Sequence, residues 1–217
     1  MEDRRTGALY LELVDGPPEG YGTGRAVEVG DRLGVTRTTW WSNQHPDRTD
    51  VPRRLPEFAT LGVHELGPGF TPPAPVPGVT GLHLAETPRP GQGSLGGDAT
   101  DGLLVVLISP KHPEGAQALR DWGDFVHLRH IAEAGVPGYR MITPYEVVGG
   151  GEPRYLHLYE LHGDDPEAIY RSMTPLVQER LGPPGTPAYD DWAWHPELMI
   201  DYVNTFALVG ERVPVSR

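Results

Sequence analysis

The chain repeats one supersecondary pattern, and this repeat limits its possible folds more than any other feature. An apolar segment that runs into a Pro-Glu-Gly turn occurs at residues 7–20 and again at residues 102–115. A second segment, which closes on Glu-Leu, occurs at residues 55–66 and again at residues 151–161. The copies lie about 95 residues apart, a longer period than that of solenoid repeats, and so predict two similar half-domains.

The second copy has the order of elements of a ferredoxin-like unit. Residues 103–109 form a short apolar run that predicts a strand buried on both faces. Residues 114–134 have helical periodicity and stop at Gly135, a residue typical of helix ends. A second helix is predicted over residues 166–181, with Asp165 as its N-cap. Strands predicted at residues 139–145, 155–161 and 202–209 complete the order βαββαβ.

The first copy keeps the strands of this unit but not its helices. Residues 25–33 have room for only a short helix. Residues 67–78 are rich in proline and cannot form a helix, because proline lacks the backbone N–H and clashes with the preceding turn. The strands are predicted at residues 8–14, 35–42, 58–66 and 79–87.

These patterns predict an α+β protein with two ferredoxin-like βαββαβ units in tandem, the helices of the first unit being eroded. The predicted boundaries are 1–88 for the first unit, 89–101 for a Pro/Gly-rich linker and 102–217 for the second unit. Each antiparallel sheet carries its helices on one face, so the other face needs a cover. The two sheets can pair as an α/β barrel within a monomer, an internal pseudo-dimer, or the open faces can pair in a homodimer.

Composition removes several classes of partner. The formal net charge of −12 disfavours nucleic acid, which is bound chiefly by clustered Lys and Arg. The absence of cysteine excludes disulfides, thiolate metal sites and cysteine nucleophiles. No apolar run reaches the length of a membrane span or a signal peptide, so the sequence predicts a cytoplasmic protein without a membrane partner.

The glycine-rich segments do not predict a cofactor site. Residues 149–151 join two predicted strands and precede no helix, as a phosphate-binding loop would require. Residues 91–97 lie in the linker and lack the lysine of a P-loop. We therefore expect neither a tightly bound cofactor nor a metal ion.

Residues 119–147 resemble the EthD-like group of dimeric α/β barrel proteins. The likeness rests on a tryptophan that precedes a helical histidine, followed by Pro-Gly and an aromatic-led strand: Trp122, His127 or His130, Pro137, Gly138 and Tyr139. The family usually shows His-x-Pro-Leu in this helix, whereas the chain has no proline there, so either histidine can be the counterpart. The resemblance implies a barrel enzyme with a helical acid/base histidine. Related barrels include isomerases, dehydratases, decarboxylases, cyclases and oxygenases that work without a cofactor, and more distant haem enzymes.

Alternation along residues 155–159 separates two leucines from a polar row. Tyr155, His157 and Tyr159 share one face of the strand, while Leu156 and Leu158 share the other. We expect the leucines to meet the helices and the polar row to face the barrel interior, where such groups could bind and protonate a carbonyl compound.

The first copy supplies further histidines of the same type. The repeat aligns His64 with Tyr159, which predicts a second inward histidine on the face that also carries Thr60 and Gly62. His83 alternates with leucines in the same way. Imidazole titrates near neutral pH and so suits proton abstraction and return.

The remaining candidates are aromatic or helical. Consecutive residues of a strand face opposite ways, so one of Trp40 and Trp41 is expected to line the pocket while the other packs outside. His127 and His130 lie three residues apart on a helix, but no HExxH-like pattern surrounds them to favour a metal site. Trp194 lies in an aromatic segment that could cover a pocket.

The sequence therefore predicts an enzyme of lyase or isomerase type that performs acid/base chemistry on a hydrophobic carbonyl compound. Predicted catalytic residues are His157, His130, Tyr155, Tyr159 and His64, and predicted substrate-binding residues are Trp40, Trp41, His127, Tyr139 and Trp194. Two alternatives use the same pocket: a cofactor-free or haem-dependent oxidoreductase, and a non-catalytic binding protein.

Overall fold

A computed structural model describes residues 6–88 and 100–214. In the first half, two short helices and a proline-rich segment accompany four strands. The strands are β1 (Ala8–Val14), β2 (Val35–Asn43), β3 (Thr60–Leu66) and β4 (Val79–Glu86), and the helices are α1 (Pro18–Thr23) and α2 (Arg25–Gly30). Residues 67–78 contain no helix, as their prolines predict.

The second half has longer helices. Its strands are β5 (Gly102–Pro110), β6 (Tyr139–Val147), β7 (Tyr155–Leu161) and β8 (Leu198–Arg212), and its α-helices are α3 (Ala116–Trp122), α4 (Leu128–Ala134), α5 (Pro166–Leu181) and α6 (Pro187–Ala193). Gly135 ends α4 in the left-handed conformation, and the Asp165 side chain caps α5 by accepting a hydrogen bond from the Ala168 N–H. The linker predicted at residues 89–101 lies mostly outside the described residues.

Eight antiparallel strands within the described residues close into one barrel. The order within the first half is β4-β1-β3-β2, and the order within the second half is β8-β5-β7-β6. Pairs β2–β8 and β4–β6 join the two sheets edge to edge. The two tandem ferredoxin-like units thus form an α/β barrel with eroded helices in the first unit, as the repeat predicts.

Strand pairing corrects one part of the repeat alignment. Leu9 pairs with Glu65, and Leu103 pairs with Glu160, so Leu9 and Leu103 are structural equivalents. The alignment of residues 7–20 with residues 102–115 is therefore shifted by one residue in the first strand. Successive strand residues face opposite ways, so this shift exchanges the two faces.

Aliphatic and aromatic side chains fill the barrel interior. Leu156 and Leu158 belong to this buried cluster, to which every strand contributes. Tyr155 and Tyr159 lie on the opposite face, where the Tyr155 hydroxyl donates a hydrogen bond to the Ala116 carbonyl of α3. The prediction that the Tyr155, His157 and Tyr159 row faces the interior is wrong. Alternation separates two faces, but both faces of this strand are buried, and the enclosed side takes the leucines.

Two helical features depart from the sequence pattern. A π-helical turn at Gly123–His127 separates α3 from α4. Its extra residue rotates the helix, so that Leu128 and Ile131 are buried after the turn while His130 lies only partly buried at the side. The aromatic segment before β8, which could cover a pocket by its sequence, contains α6.

We expect the protein to be a monomer of 23.8 kDa in solution, because each edge strand of one described sheet pairs with an edge strand of the other, β2 with β8 and β4 with β6. Native mass spectrometry at low micromolar concentration tests this expectation. A stable dimer would show that an outer face, and not the barrel interior, pairs with a second subunit.

Candidate functional site

A polar row crosses the outer face of the first sheet. His83 on β4 pairs with Tyr10 on β1, Tyr10 pairs with His64 on β3, and His64 pairs with Thr38 on β2. Directly paired residues of adjacent strands share a face and lie about 5 Å apart at their Cβ atoms. Four strands thus bring an imidazole, a phenol, a second imidazole and a hydroxyl into one line.

The next row alternates glycine with large side chains. Its members, in spatial order, are Gly81, Glu12, Gly62, Trp40 and Gly210. A Cβ atom on Gly62 would lie 1.9 Å from the Tyr21 hydroxyl, and one on Gly81 would lie 2.1 Å from the Tyr10 hydroxyl. These glycines are therefore required because neighbouring aromatic side chains occupy the space above them.

A buried hydrogen-bonded chain connects the two rows. The Tyr21 hydroxyl donates to Glu12 Oε2 at 2.9 Å and lies 3.0 Å from His64 Nε2. The other imidazole nitrogen, His64 Nδ1, lies 2.9 Å from the Thr38 hydroxyl. Glu12, His64 and Thr38 are fully buried. Both nitrogens of His64 thus have partners, which fixes the orientation of its ring.

Arg25 neutralises the buried carboxylate. Arg25 Nε and Nη2 donate to Glu12 Oε1 at 3.0 and 2.8 Å, and Arg25 Nη1 donates to Glu28 at 2.8 Å. Burial raises the pKa of Glu12, but hydrogen bonds with His64, Arg25 and Tyr21 outweigh burial and hold that pKa below its usual value. Glu12 is therefore a carboxylate at neutral pH.

A cleft of about 320 Å³ lies over one end of the polar row. Tyr10, Gly81 and His83 contribute the wall on the sheet side, and Arg25 borders it. The opposite wall is apolar and comes from the proline-rich segment, and Val147 and Val148 add the turn after β6. The segment that cannot form a helix in the first half thus stands over the sheet as the wall of a cleft.

Tyr10 and His83, the titratable groups on the sheet side of the cleft, are neutral at pH 7. Burial, followed by the charge of Glu12, raises the pKa of Tyr10 above its usual value. Burial lowers the pKa of His83. Tyr10 is thus a hydrogen-bond donor, and His83 is a neutral imidazole that can accept a proton.

The predicted residues of the first half divide between two faces. His64 lies in the polar network, but its face is the outer one, so the predicted inward position is wrong for the same reason as in β7. Trp41 belongs to the interior cluster, and Trp40 packs outside over Gly22 and Gly210. One indole thus lies on each face, but neither lines the cleft, so a substrate-binding role for Trp40 or Trp41 stays a prediction.

The predicted histidines of the second half lie under the helices. His127 stacks on Trp192 with ring centroids 5.5 Å apart, and its Nδ1 donates to the Trp192 carbonyl at 2.9 Å. The His157 ring lies 6.2 Å from that of His127 and is buried against Gly123 of the π-helical turn. Burial lowers the pKa of His127 to about 4. His127 is therefore neutral at pH 7 within a closely packed cluster of rings.

The other predicted residues lie apart from the cleft. Tyr139 and Tyr159 pack edge to face on the helical side of the second sheet. Trp194 is 58% exposed and stands beside Lys111, whose amine lies 5.6 Å from the ring centroid. His130 lies 3.6 Å from the Glu133 carboxylate on the surface of α4. The structure brings neither Trp194 nor His130 to Tyr10 or His83.

Sequence reasoning missed Tyr10, Glu12, Tyr21 and Arg25. The available signal was the alternation of Tyr10 and Glu12 with three leucines in β1, which places both polar residues on one face. A carboxylate in an otherwise apolar strand requires buried partners, and the glycines opposite it in β3 and β4 mark the space that they fill.

The described residues contain no group of three or more His, Asp or Glu side chains arranged to ligate a metal ion. None of the helices within residues 6–88 and 100–214 is long and apolar enough to cross a membrane.

Solved structures show what fold this is. A candidate chlorite dismutase superimposes with a TM-score of 0.50 at 13% identity, covering 95% of this chain and 96% of that one. An arginine-to-glutamate mutant of chlorite dismutase from Candidatus Nitrospira defluvii gives 0.50 at 8% identity, covering 95% and 93%. An anthrone oxidase-like protein gives 0.49 at 14% identity, covering 98% and 95%. No family model matches the chain, and no curated protein matches it.

The fold is that of the dimeric α/β barrel proteins. The low identities restrict this conclusion to the fold. The more specific resemblance to the EthD-like group stays a prediction.

Gly62→Ala should destabilise the protein by about 1 to 3 kcal/mol, because its methyl group would meet the Tyr21 hydroxyl in a packed site. Urea unfolding measures the loss, and adding Tyr21→Phe should recover part of it. Gly20→Ala is the matched control, since a Cβ atom at this helical position has no neighbour within 4 Å. An unfolding midpoint of Gly62→Ala at or above that of the wild type would contradict the packing.

His127 should make stability depend on pH in mildly acid solution. Its pKa is about 4 when folded and about 6.5 when unfolded, so the unfolded chain binds more protons between these values. Stability should therefore fall as the pH drops from about 6.5 towards 4, by at most about 1.4 kcal/mol per pH unit. His127→Gln retains a donor for the Trp192 carbonyl and should flatten this dependence in urea unfolding. Parallel curves for variant and wild type would assign the titration to another group.

Proposed function

We propose that the chain is an enzyme that binds a small, largely apolar carbonyl compound in the cleft and transfers a proton beside the carbonyl group. The observation that carries this proposal is the pairing of Tyr10 with His83 across β1 and β4, with both side chains in the wall of one cleft. Enolisation requires a neutral base and a hydrogen-bond donor. Here both groups stand on directly paired residues, whose Cβ atoms lie about 5 Å apart.

His83 acts as the base in this proposal. Its neutral imidazole removes the proton from the carbon next to the carbonyl and can return it to another position. Tyr10 donates its hydroxyl hydrogen bond to the carbonyl oxygen and stabilises the negative charge that develops there. Proton-transfer isomerisation of a carbonyl compound, dehydration of a β-hydroxy carbonyl compound and aldol-type cyclisation each begin with such an enolate, so the proposal covers these lyase and isomerase reactions.

The apolar wall supports a hydrophobic substrate. Pro72, Pro73 and Pro75 line the same cleft as Tyr10 and His83, and Val147 and Val148 add apolar surface. Proline loses little conformational freedom on ordering, so such a wall is largely preformed before a ligand arrives. A cavity of about 320 Å³ suits a ligand of modest size.

Acid/base roles for His157, His130 and Tyr155 stay predictions of the sequence. His157 is buried beside the His127 ring, and the Tyr155 hydroxyl is engaged by a helix carbonyl. These contacts support a packing role more directly than a catalytic one.

The residues of the second half do not fit a haem in the packed arrangement that the structure shows. Trp122 and Trp192 both pack against the His127 ring, with centroids 4.9 and 5.5 Å away, and the Trp192 carbonyl accepts the hydrogen of His127 Nδ1. A porphyrin at His127 would have to displace these tryptophans.

Hydrogen–deuterium exchange at the carbon next to the carbonyl tests the proposal without knowledge of the natural product. A panel of neutral aryl and alkyl ketones, acetophenone among them, is incubated with the protein in D₂O and followed by NMR. We expect catalysed exchange for part of the panel. His83→Gln should slow it by about 10² to 10⁴-fold, and Tyr10→Phe by about 10² to 10³-fold.

Two histidine variants complete the experiment. His112→Gln removes an exposed histidine and controls for histidine loss in general. Loss of exchange in His157→Gln but not in His83→Gln would move the site to the helical side of the second sheet. A Soret band in the purified protein, or exchange that is insensitive to both Tyr10 and His83, would overturn the proposal.

A further inference from the structure

We infer that Glu12 determines the charge of the ligand that the cleft accepts, by neutralising Arg25 so that uncharged compounds are preferred to carboxylates. The inference rests on the proposed cleft and deepens it. It assigns a specificity-determining role to a residue that lies behind the cleft wall and does not line the cleft itself.

Arg25 is the one permanent cation among the described residues of the cleft wall. A free guanidinium binds a carboxylate through two parallel N–H···O bonds. In this protein all three guanidinium nitrogens are already occupied, two by Glu12 and one by Glu28. An anionic ligand would therefore meet a guanidinium whose positive charge is already compensated and which keeps only two of its five N–H groups.

The two carboxylates that meet Arg25 differ in their surroundings. Glu12 is fully buried, whereas the side chain of Glu28 is 57% exposed. Water and salt screen an exposed pair strongly and a buried pair weakly. Glu12 therefore supplies most of the compensation, and Glu28 supplies little.

The hydrogen-bonded chain around Glu12 allows a substitution that removes its charge and retains the hydrogen bonds. In Glu12→Gln the amide oxygen can accept from Arg25, and the amide nitrogen can donate to the Tyr21 hydroxyl. That hydroxyl can then donate to His64 Nε2, and the Thr38 hydroxyl can accept from His64 Nδ1. The variant thus removes the negative charge of residue 12, while every polar group of this hydrogen-bonded chain keeps a partner.

The test compares a neutral and an anionic probe of similar size. Dissociation constants of acetophenone and benzoate are measured by ligand-observed NMR at low salt for the wild type, Glu12→Gln, Glu28→Gln and Glu12→Gln/Arg25→Gln. The wild type should prefer acetophenone. Glu12→Gln should shift the ratio towards benzoate by about tenfold or more, as expected for one uncompensated, partly screened charge.

The other two variants are controls. Glu28→Gln removes a carboxylate from the same guanidinium but should change the ratio by less than about threefold, because this carboxylate is exposed. The double variant removes both charges and should return to the preference of the wild type. If Glu12→Gln fails to fold, the double variant still decides: loss of benzoate binding relative to the wild type would show that Arg25 binds anions and would overturn the inference.

NMR titration of His83 separates failure of this inference from failure of the proposed function. His83 borders the same cleft as Arg25, so an uncompensated guanidinium should lower the pKa of His83 in Glu12→Gln relative to the wild type, and less so in Glu28→Gln. If neither probe binds while the His83 shift occurs, the proposed function fails and the charge compensation stands. If the probes bind but Glu12→Gln changes neither their ratio nor His83, the inference is overturned.

Discussion

Closure of the barrel is the constraint on which the rest of the structure depends. Each four-stranded sheet has two free edges and one uncovered face, and strands β2 and β4 solve both problems by pairing with β8 and β6 of the other half. The leucines of all the central strands then share one enclosed interior. Apolar side chains take most of this interior, and the polar row with its cleft lies on an outer face.

The two outer faces diverge because their covers differ. In the second half α4 and α5 pack on the sheet, and the residues beneath them, such as Leu104, Ile142 and Tyr159, are mostly apolar. In the first half two short helices and a proline-rich segment take the place of those helices, and Tyr10 and His64 occupy the positions of Leu104 and Tyr159. The loss of helices thus coincides with a polar row and a cleft. A helix that cannot form leaves the sheet partly uncovered, and this is the space that a ligand can use.

A buried carboxylate at this place requires an exact set of partners. Removing Glu12 from water is unfavourable unless its oxygens are hydrogen-bonded and its charge is compensated, and Tyr21 and Arg25 meet both conditions. The partners need room above the sheet, which Gly62 and Gly81 provide. The glycines, the hydrogen bonds and the charge compensation around Glu12 therefore depend on one another. In our proposal the same arrangement keeps Tyr10 protonated and Arg25 neutralised beside a neutral His83.

The sequence by itself determined the repeat, the strands, the failure of residues 67–78 to form a helix, and the need of each ferredoxin-like sheet for a cover on its open face. It did so because these depend on local patterns: alternation, capping by Asp165, termination at Gly135 and the chemistry of proline. The tertiary structure alone decided which face of each strand is interior, because both faces of β5 and β7 are buried and alternation cannot rank them. It also decided that Tyr10 and His83 meet in one cleft, since strands far apart in sequence become neighbours only when the sheet order β4-β1-β3-β2 is fixed by long-range pairing.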